Sequence, residues 1–372
     1  MTVIENLYHV LMAGGSGTRF WPVSRKSRAK QFLPLVGDRS MIRQTFERCA
    51  QIGPRDLVYV SAGAAHREAV SKELPEISPG RFIAEPVARN TAPAVGLSAM
   101  WLFLADPDAV AVFCPADHVF LDAEGYSRAI EAAAGAAASG DWLVTLGIRP
   151  TRPETGYGYI EAGEPSGMPD VHRVAGFTEK PDLETARRLV AGGRHYWNSG
   201  VFIWRVASIL AAIGRHHRPL AEALTRFRKA VRRHVPEGAV ASPLDLPGVE
   251  ETLSEIFAAQ EAISIDYAVM EKAPNVLVVP CDAGWSDVGS WDAIDEMASK
   301  DDRGNALQGD VVASSSSDCF VRGGGRLIAL VGVSDLIVVE TDDALLVCRK
   351  GESQKVREIV DRLRASGRDD RL

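Results

Sequence analysis

Nothing in this 372-residue chain approaches the run of about 20 apolar residues that a membrane-spanning helix requires. The apolar stretch within residues 1–13 has no basic leader and runs directly into glycines, so it reads as a first strand rather than a signal peptide. A cytoplasmic location is the expectation. Long Lys/Arg runs are missing too, and the net charge is −7, which argues against a surface that tracks nucleic-acid phosphates. Any anionic ligand must therefore be met by a few placed cations. Cysteine is sparse: Cys49, Cys114, Cys281, Cys319 and Cys348 lie far apart, form no CxxC pair and are odd in number. That excludes a disulfide framework or a thiolate zinc site and leaves reduced, buried thiols. The histidines show no metal-ligand spacing, and no Ser/His/Asp or Cys/His arrangement stands out.

What is present is ordinary globular material, with 46% apolar and 24% charged residues. The length exceeds what one core usually absorbs, so a large domain with a smaller companion is expected. Up to about residue 148, short apolar runs (8–13, 57–61, 81–84, 110–114 and 142–147) alternate with helical stretches (41–52, 65–74, 91–104 and 126–138). Such alternation implies βαβ units and a mostly parallel sheet covered on both faces. From 150 to 203 the pattern changes to short strands and turns, with Gly156-Tyr157-Gly158-Tyr159-Ile160, Gly176-Phe177 and Asn198-Ser199-Gly200 as turn-like punctuation. Helical periodicity returns at 183–191, 207–214 and 220–234, the last with a basic, solvated polar side. A strand at 275–279 and a helix at 290–298 close the large domain. Beyond residue 300, β-type runs at 311–313, 327–331, 336–340 and 345–347 are separated by Ser, Gly and Asp, which suggests a small all-β module.

The chemistry concentrates behind the first strand, in Gly14-Gly15-Ser16-Gly17-Thr18-Arg19 followed by Lys30. Glycines let backbone N–H groups close on phosphate oxygens, and Arg19 and Lys30 add charge that amides cannot supply. The spacing matches neither the Walker motif nor the Gly-x-Gly-x-x-Gly of dinucleotide folds. A plain glycine turn is the competing reading, and the position of Arg19 and Lys30 weighs against it. Two isolated aspartates, Asp117 and Asp287, each follow an apolar strand. Ligands collect beyond the carboxyl ends of strands in open α/β sheets. Magnesium uses one or two carboxylates together with substrate phosphates and water. Each aspartate alone could equally cap a helix. Glu179, Lys180 and Asn198 could meet a sugar phosphate and its hydroxyls, with ordinary loop chemistry as the alternative. His118 is not needed as a general base, because a phosphate monoester already carries roughly −1.5 to −2 at neutral pH.

Taken together these stretches resemble the sugar nucleotidyltransferases, and within them the bacterial mannose-1-phosphate guanylyltransferases. The resemblance is carried by 11–19 with Trp21-Pro22, Lys30-Gln31-Phe32-Leu33, Glu85-Pro86, Arg89-Asn90-Thr91-Ala92-Pro93-Ala94 and Pro115-Ala116-Asp117-His118. It continues through Phe177-Thr178-Glu179-Lys180-Pro181, 198–202, 264–271, 285–291 and 332–347, so it covers nearly the whole chain. It implies an α/β fold with a Rossmann-like mixed, mostly parallel sheet flanked by helices over 1–300, and a small C-terminal β-helix-like domain over 301–372. It further implies that Gly14, Gly15, Gly17, Thr18 and Arg19 hold the nucleotide triphosphate and that Lys30 stabilises charge at the reacting phosphates. Glu85, Asn90 and Thr91 would read guanine, Asp117 and Asp287 would bind Mg2+, and Gly158, Glu179, Lys180 and Asn198 would hold the sugar phosphate. GTP and mannose 1-phosphate are the implied substrates, GDP-mannose and pyrophosphate the products, and a homodimer the implied assembly. Two departures are visible. Ala29 replaces the proline usual before the lysine, which implies a looser Lys30 loop in the empty enzyme. The chain also stops before the isomerase domain that long members carry, so isomerase activity is not expected. The rival expectations are a nucleotidyltransferase for a heptose or glucose phosphate, a non-catalytic nucleotide-sugar sensor, and an NTP hydrolase.

Overall fold

The computed structural model describes residues 6–15, 17–234 and 248–372. Ser16 of the glycine loop and the first five residues of the N-terminal apolar stretch lie outside them. In chain order the strands are β1 (Leu7–Met12), β2 (Val58–Gly63), β3 (Phe82–Glu85), β4 (Val110–Pro115), the two-residue β5 (Val119–Phe120), β6 (Leu143–Ile148), β7 (Tyr159–Pro165), β8 (His172–Thr178), β9 (His195–Arg205) and β10 (Val276–Cys281). After the short β11 (Trp285–Ser286) come β12 (Ala306–Gln308), β13 (Val311–Ser314), β14 (Phe320–Arg322), β15 (Ile328–Val331), β16 (Leu336–Glu340) and β17 (Leu345–Arg349). The helices are α1 (Met41–Cys49), α2 (Arg67–Glu73), α3 (Thr91–Ala105), α4 (Ala123–Ala138), α5 (Leu183–Ala191), α6 (Val206–His216), α7 (Arg218–Arg232), α8 (Val249–Ala258), α9 (Trp291–Met297) and α10 (Val356–Ala365).

Two compact units result. The first takes Met1–Gly14, Thr45–Ala116 and Phe120–Trp285. Its centre is a nine-stranded sheet in the order β3-β2-β1-β4-β9-β6-β10-β8-β7. β1 pairs in parallel with β2 and β4, and β10 with β6, while β8 and β9 run against the rest. The expected mixed, mostly parallel sheet with flanking helices is thus present. β1 and β6 are buried almost throughout, as near-continuous apolar strands covered on both faces must be. α3 is apolar all round and almost wholly buried, packed with α6 and α7 over the sheet. Asn90 starts α3 with its side-chain oxygen accepting from Thr91 N, and Asp122 and Asp182 cap α4 and α5 through backbone amides.

The turn expected at Asn198-Ser199-Gly200 is instead the middle of β9, an 11-residue strand that pairs with β4, β6 and β7. Gly200 sits at φ 71°, and the β6 register shifts between Thr145 and Gly147, so the turn-like residues are absorbed as an irregularity inside a long central strand.

The second unit takes Gly15–Gln44, Asp117–Val119 and Ser286–Leu372. Its β12, β14 and β16 stack in parallel, with Ala306 opposite Phe320 and Phe320 opposite Ile337, while β13 lies parallel to β15. Parallel strands stacked coil upon coil are the β-helix-like arrangement expected. The module is not all β, however: it ends in the amphipathic α10, whose Val356 and Val360 are buried. The core of this unit joins Phe20, Trp21, Leu33 and Leu35 from the N-terminal segment to Trp291, Phe320, Ile337, Val339, Val356 and Val360. Trp291 Nε1 donates to the Trp21 carbonyl at 3.2 Å, and Phe20 meets the Trp291 ring edge-on at 5.3 Å.

Candidate active site

Within the second unit a cavity of about 530 Å³ is lined by Gly17, Thr18, Arg19, Lys30, Asp117 and Asp287, with His118 beside them. Gly17 has φ 59° and starts the single turn Thr18–Phe20; its carbonyl accepts from Phe20 N at 3.0 Å and from the Ser24 hydroxyl at 2.7 Å. A β-carbon there would strike the Lys30 backbone nitrogen at 2.9 Å, so only glycine lets the two segments meet. Phe20 is buried and fixes the turn, which leaves Arg19 exposed at the cavity wall.

Lys30 is 6% exposed. Its ammonium donates to Asp117 Oδ2 at 2.9 Å and to the Asp287 carbonyl at 2.6 Å, and it lies 5.7 Å from the centre of the Phe20 ring. Burial works to raise the Asp117 pKa, but the Lys30 charge, with His118 at 4.0 Å, holds it below the usual carboxylate range. Ala29 adopts φ −69°, the value a proline ring would impose, so the backbone before Lys30 is proline-like without the ring and not looser as expected. Asp287 precedes Val288, fully buried at φ 47°, a costly conformation for a β-branched residue. A β-carbon at Gly289 would crowd both Asp287 carboxylate oxygens. The strained Val288 and the bare Gly289 fix where that carboxylate sits.

The residues expected to hold a sugar phosphate come together in the first unit. Asn198 N donates to the Gly158 carbonyl at 2.8 Å, and Lys180 N to the Tyr157 carbonyl at 3.2 Å. Lys180 Nζ pairs with Glu179 Oε1 at 2.9 Å, and Lys180 itself lies at φ 45°. The Asn198 amide donates to Asp266 Oδ1 at 2.7 Å, while its oxygen accepts from Thr145 Oγ1 and Gly200 N. Burial, then the neighbouring Glu179, push Asp266 up to about 6, against the Asn198 bond. Glu271 is shifted upward by burial and by the same two carboxyl groups. In the same unit the Tyr157 ring meets Trp197 and Trp285 edge-on, each at 5.2 Å between centroids. Asp266 lies within 264–271, to whose resemblance no residue role attaches; its lone charge in a largely apolar run is the signal that marks it.

The residues expected at guanine lie elsewhere in the first unit. Glu85 ends β3, is 7% exposed, and accepts from the Ser61 hydroxyl of β2 at 3.1 Å. Burial pushes its pKa up to about 7, opposed only by that hydroxyl. Asn90 sits at φ 65°. Its neighbour Thr91 accepts from Ile265 N at 2.9 Å, and Arg89 donates to the carbonyls of Phe257 and Ala258 at the end of α8. Gly14 and Gly15 are exposed, Gly15 at φ 121°. Also unexpected from sequence are Arg357, Asp361 and Arg364 of α10, which line the same cavity as Lys30 and Asp117. Their i, i+4, i+7 spacing beside the apolar Val356, Val360 and Leu363 was the signal that could have revealed them.

A model of the nucleotidyl transferase family matches residues 8–304, the greater part of the chain. The chain belongs to the nucleotidyl transferase family. Residues 309–363 of this nucleotidyl transferase match a second model, the MannoseP isomerase/GMP-like beta-helix domain. It is 40% identical to the xanthan biosynthesis protein XanB of Xanthomonas campestris pv. campestris, over 99% of this chain and 75% of the relative. It is likewise 40% identical to the mannose-1-phosphate guanylyltransferase RfbM of Salmonella typhimurium, over 97% of this chain and 73% of the relative. Among solved structures, the Thermus thermophilus protein described as a mannose-1-phosphate geranyltransferase superposes with a TM-score of 0.84 at 36% identity, covering 96% of this chain and 99% of that one. No helix among the described residues is long and apolar enough to cross a membrane.

Proposed function

We propose that this nucleotidyl transferase makes GDP-mannose and pyrophosphate from GTP and mannose 1-phosphate, acting in the cytoplasm as a homodimer whose catalytic domain and β-helix-like domain divide near residue 300. The observation that carries the reading is the meeting of Arg19, Lys30, Asp117 and Asp287 on one cavity behind a glycine loop. The substrates follow from what RfbM is named for, at 40% identity.

In the transfer, a phosphate oxygen of mannose 1-phosphate forms a bond to the α-phosphorus of GTP. The bond from that phosphorus to the bridging oxygen of the β-phosphate breaks, and its electron pair leaves on pyrophosphate. The attacking oxygen is already anionic, so no side chain has to remove a proton. The protein's tasks are alignment and charge neutralisation. Gly14, Gly15 and Gly17 offer backbone amides to the triphosphate, with Thr18 and Arg19 beside them, and the Lys30 ammonium faces the charge that develops as the β-oxygen departs. Glu85 accepts from guanine N–H donors, while Asn90 and Thr91 shape the approach of the base. Gly158 leaves room for the sugar phosphate, Lys180 meets its charge, and Glu179 and Asn198 pair with hydroxyls, so that a wrong epimer leaves buried polar groups unsatisfied.

The carboxyl groups of Asp117 and Asp287 on one cavity fit a Mg2+ ion, which takes two carboxylates when phosphate oxygens and water complete its shell. When bound, the ion would add positive charge at the phosphate oxygens. The shift of Asp117 below the usual range keeps it ionised and ready as a ligand at neutral pH. The test is pyrophosphate release across a grid of NTPs and sugar 1-phosphates, with and without Mg2+. Release confined to GTP with mannose 1-phosphate and Mg2+ supports the reading. Release with another sugar reassigns the substrate, release from GTP alone makes the protein a hydrolase, and no release in any cell makes it a sensor.

A further inference from the structure

We propose that α10, the helix at the far end of the β-helix-like module, is the pyrophosphate clamp of this enzyme, with Arg357 and Arg364 binding the β- and γ-phosphates that leave as pyrophosphate. This rests on the nucleotidyl-transfer reading and deepens it. Arg357 and Arg364 are seven residues apart, hence on one helical face, and both line the cavity that holds Arg19, Lys30, Asp117 and Asp287. The helix is seated by its other stripe: Val356 and Val360 are buried in the same core as Phe20 and Trp21, which flank the turn carrying Arg19. Further bonds fix the end of the chain there, since Trp21 Nε1 donates to the Arg371 carbonyl at 2.8 Å and Lys26 pairs with Asp369.

The charge pattern says what the cavity wants. Lys30 is already committed to Asp117 and to the Asp287 carbonyl. Among the described residues, Arg19 and Arg357 have no ion-pair partner, and Arg364 pairs at 2.9 Å with the exposed Asp361 one turn back, with Asp369 near enough to feel its charge. Guanidinium groups on one hollow match the anionic β- and γ-phosphates at the tail of a triphosphate, which they can grip in bidentate fashion. A nucleoside diphosphate sugar lacks those terminal phosphates. The clamp therefore acts on GTP and on pyrophosphate and leaves GDP-mannose untouched.

The experiment uses the full chain with Arg357→Ala, Arg364→Ala, the double variant, Arg357→Lys and, as a control on the same helix, Arg362→Ala. The reverse reaction is run with GDP-mannose and pyrophosphate, and binding of inorganic pyrophosphate to the enzyme alone is measured by calorimetry. Each Arg→Ala change should raise the pyrophosphate KM and Kd by about tenfold or more, the gain of one charge-assisted contact, with the GDP-mannose KM unchanged. Arg357→Lys should recover part of the loss and Arg362→Ala should show none. Unchanged pyrophosphate constants, or an equal rise in both KM values, would overturn the clamp. Thermal unfolding at the wild-type temperature establishes that α10 remains seated; if a single variant unfolds, Arg357→Lys supplies the readout. Because calorimetry needs no sugar substrate, a wrong sugar assignment leaves this test intact.

Discussion

Glu85 is the residue whose charge state can be dialled without touching the reacting phosphates. It is 7% exposed, receives one hydrogen bond from Ser61, and titrates at about 7 where an unburied glutamate sits at 4.5. The folded chain thus holds this proton more tightly than the unfolded one. Stability is penalised as pH rises from the unfolded value towards 7, and the penalty is complete above it. A shift of this size is worth about 3 kcal/mol at pH 8 and nothing near pH 4. Glu85→Gln keeps an oxygen for the Ser61 hydroxyl and removes the ionisation. The variant should therefore be more stable than wild type by up to about 3 kcal/mol at pH 8, with the gain vanishing in acid, as read by urea unfolding across pH. Binding shifts in the opposite sense. A carboxylate that accepts from guanine N–H groups must be ionised, and the ionised fraction for a group titrating near 7 rises about tenfold between pH 6 and 8. GDP-mannose is the ligand to use, because it has no terminal phosphate titrating in that window. Its affinity for wild type should strengthen by about tenfold over those two pH units, while the glutamine variant should be flat and weaker at pH 8. Parallel pH profiles for wild type and variant, in both unfolding and binding, would refute the assignment of Glu85 to the base.

Asp117→Asn and Asp287→Asn should each lower turnover by at least about a hundredfold and raise the Mg2+ concentration needed for half-maximal rate, as a steady-state magnesium titration would show. Full activity at an unchanged magnesium requirement would remove both from the mechanism. Gly17→Ala forces a side chain into φ 59° and against the Lys30 backbone, so kcat should fall by about a hundredfold, with a stability loss of at least about 1 kcal/mol in denaturant unfolding. Asn198→Ala removes the amide that lowers the Asp266 pKa; the KM for mannose 1-phosphate should rise by about tenfold or more while the KM for GTP stays within about twofold.

Much of the sheet was legible because its parallel strands are buried on both faces and spell themselves as apolar runs: β1, β2, β3, β4 and β6 fall within a residue or two of their expected bounds. β9 was not legible. Its Asn198-Ser199-Gly200 is turn vocabulary, and only pairing with strands on both sides turns it into sheet, a tertiary effect that local pattern does not carry. α10 was missed because its apolar stripe is narrow and its charges look like a solvated face until the cavity beside it is seen. The candidate site divides the same way. Glycines, Lys30 and the two aspartates announce themselves by residue type, but the Lys30–Asp117 pair joins positions far apart in sequence, and Asp287 is followed by Val288 at a φ that its own side chain disfavours. Buried carboxyl groups such as Asp266 acquire their altered acidity only from neighbours brought in by the fold.

The unit that holds Lys30 and Asp117 is assembled from Gly15–Gln44 and Ser286–Leu372, far apart in sequence, with the short Asp117–Val119 between them. On a ribosome those two long segments emerge on the order of tens of seconds apart. Phe20, Trp21 and Leu33 must wait through that interval before Trp291, Phe320 and Val356 are available to cover them. All strands of the nine-stranded sheet precede residue 282, whereas the wall of the cavity that Arg357, Asp361 and Arg364 supply comes only with α10. A chain terminated between Cys281 and Val356 would therefore carry every strand of the nine-stranded sheet, an aromatic segment without Val356 and Val360 to cover it, and a cavity wall without Arg357 and Arg364.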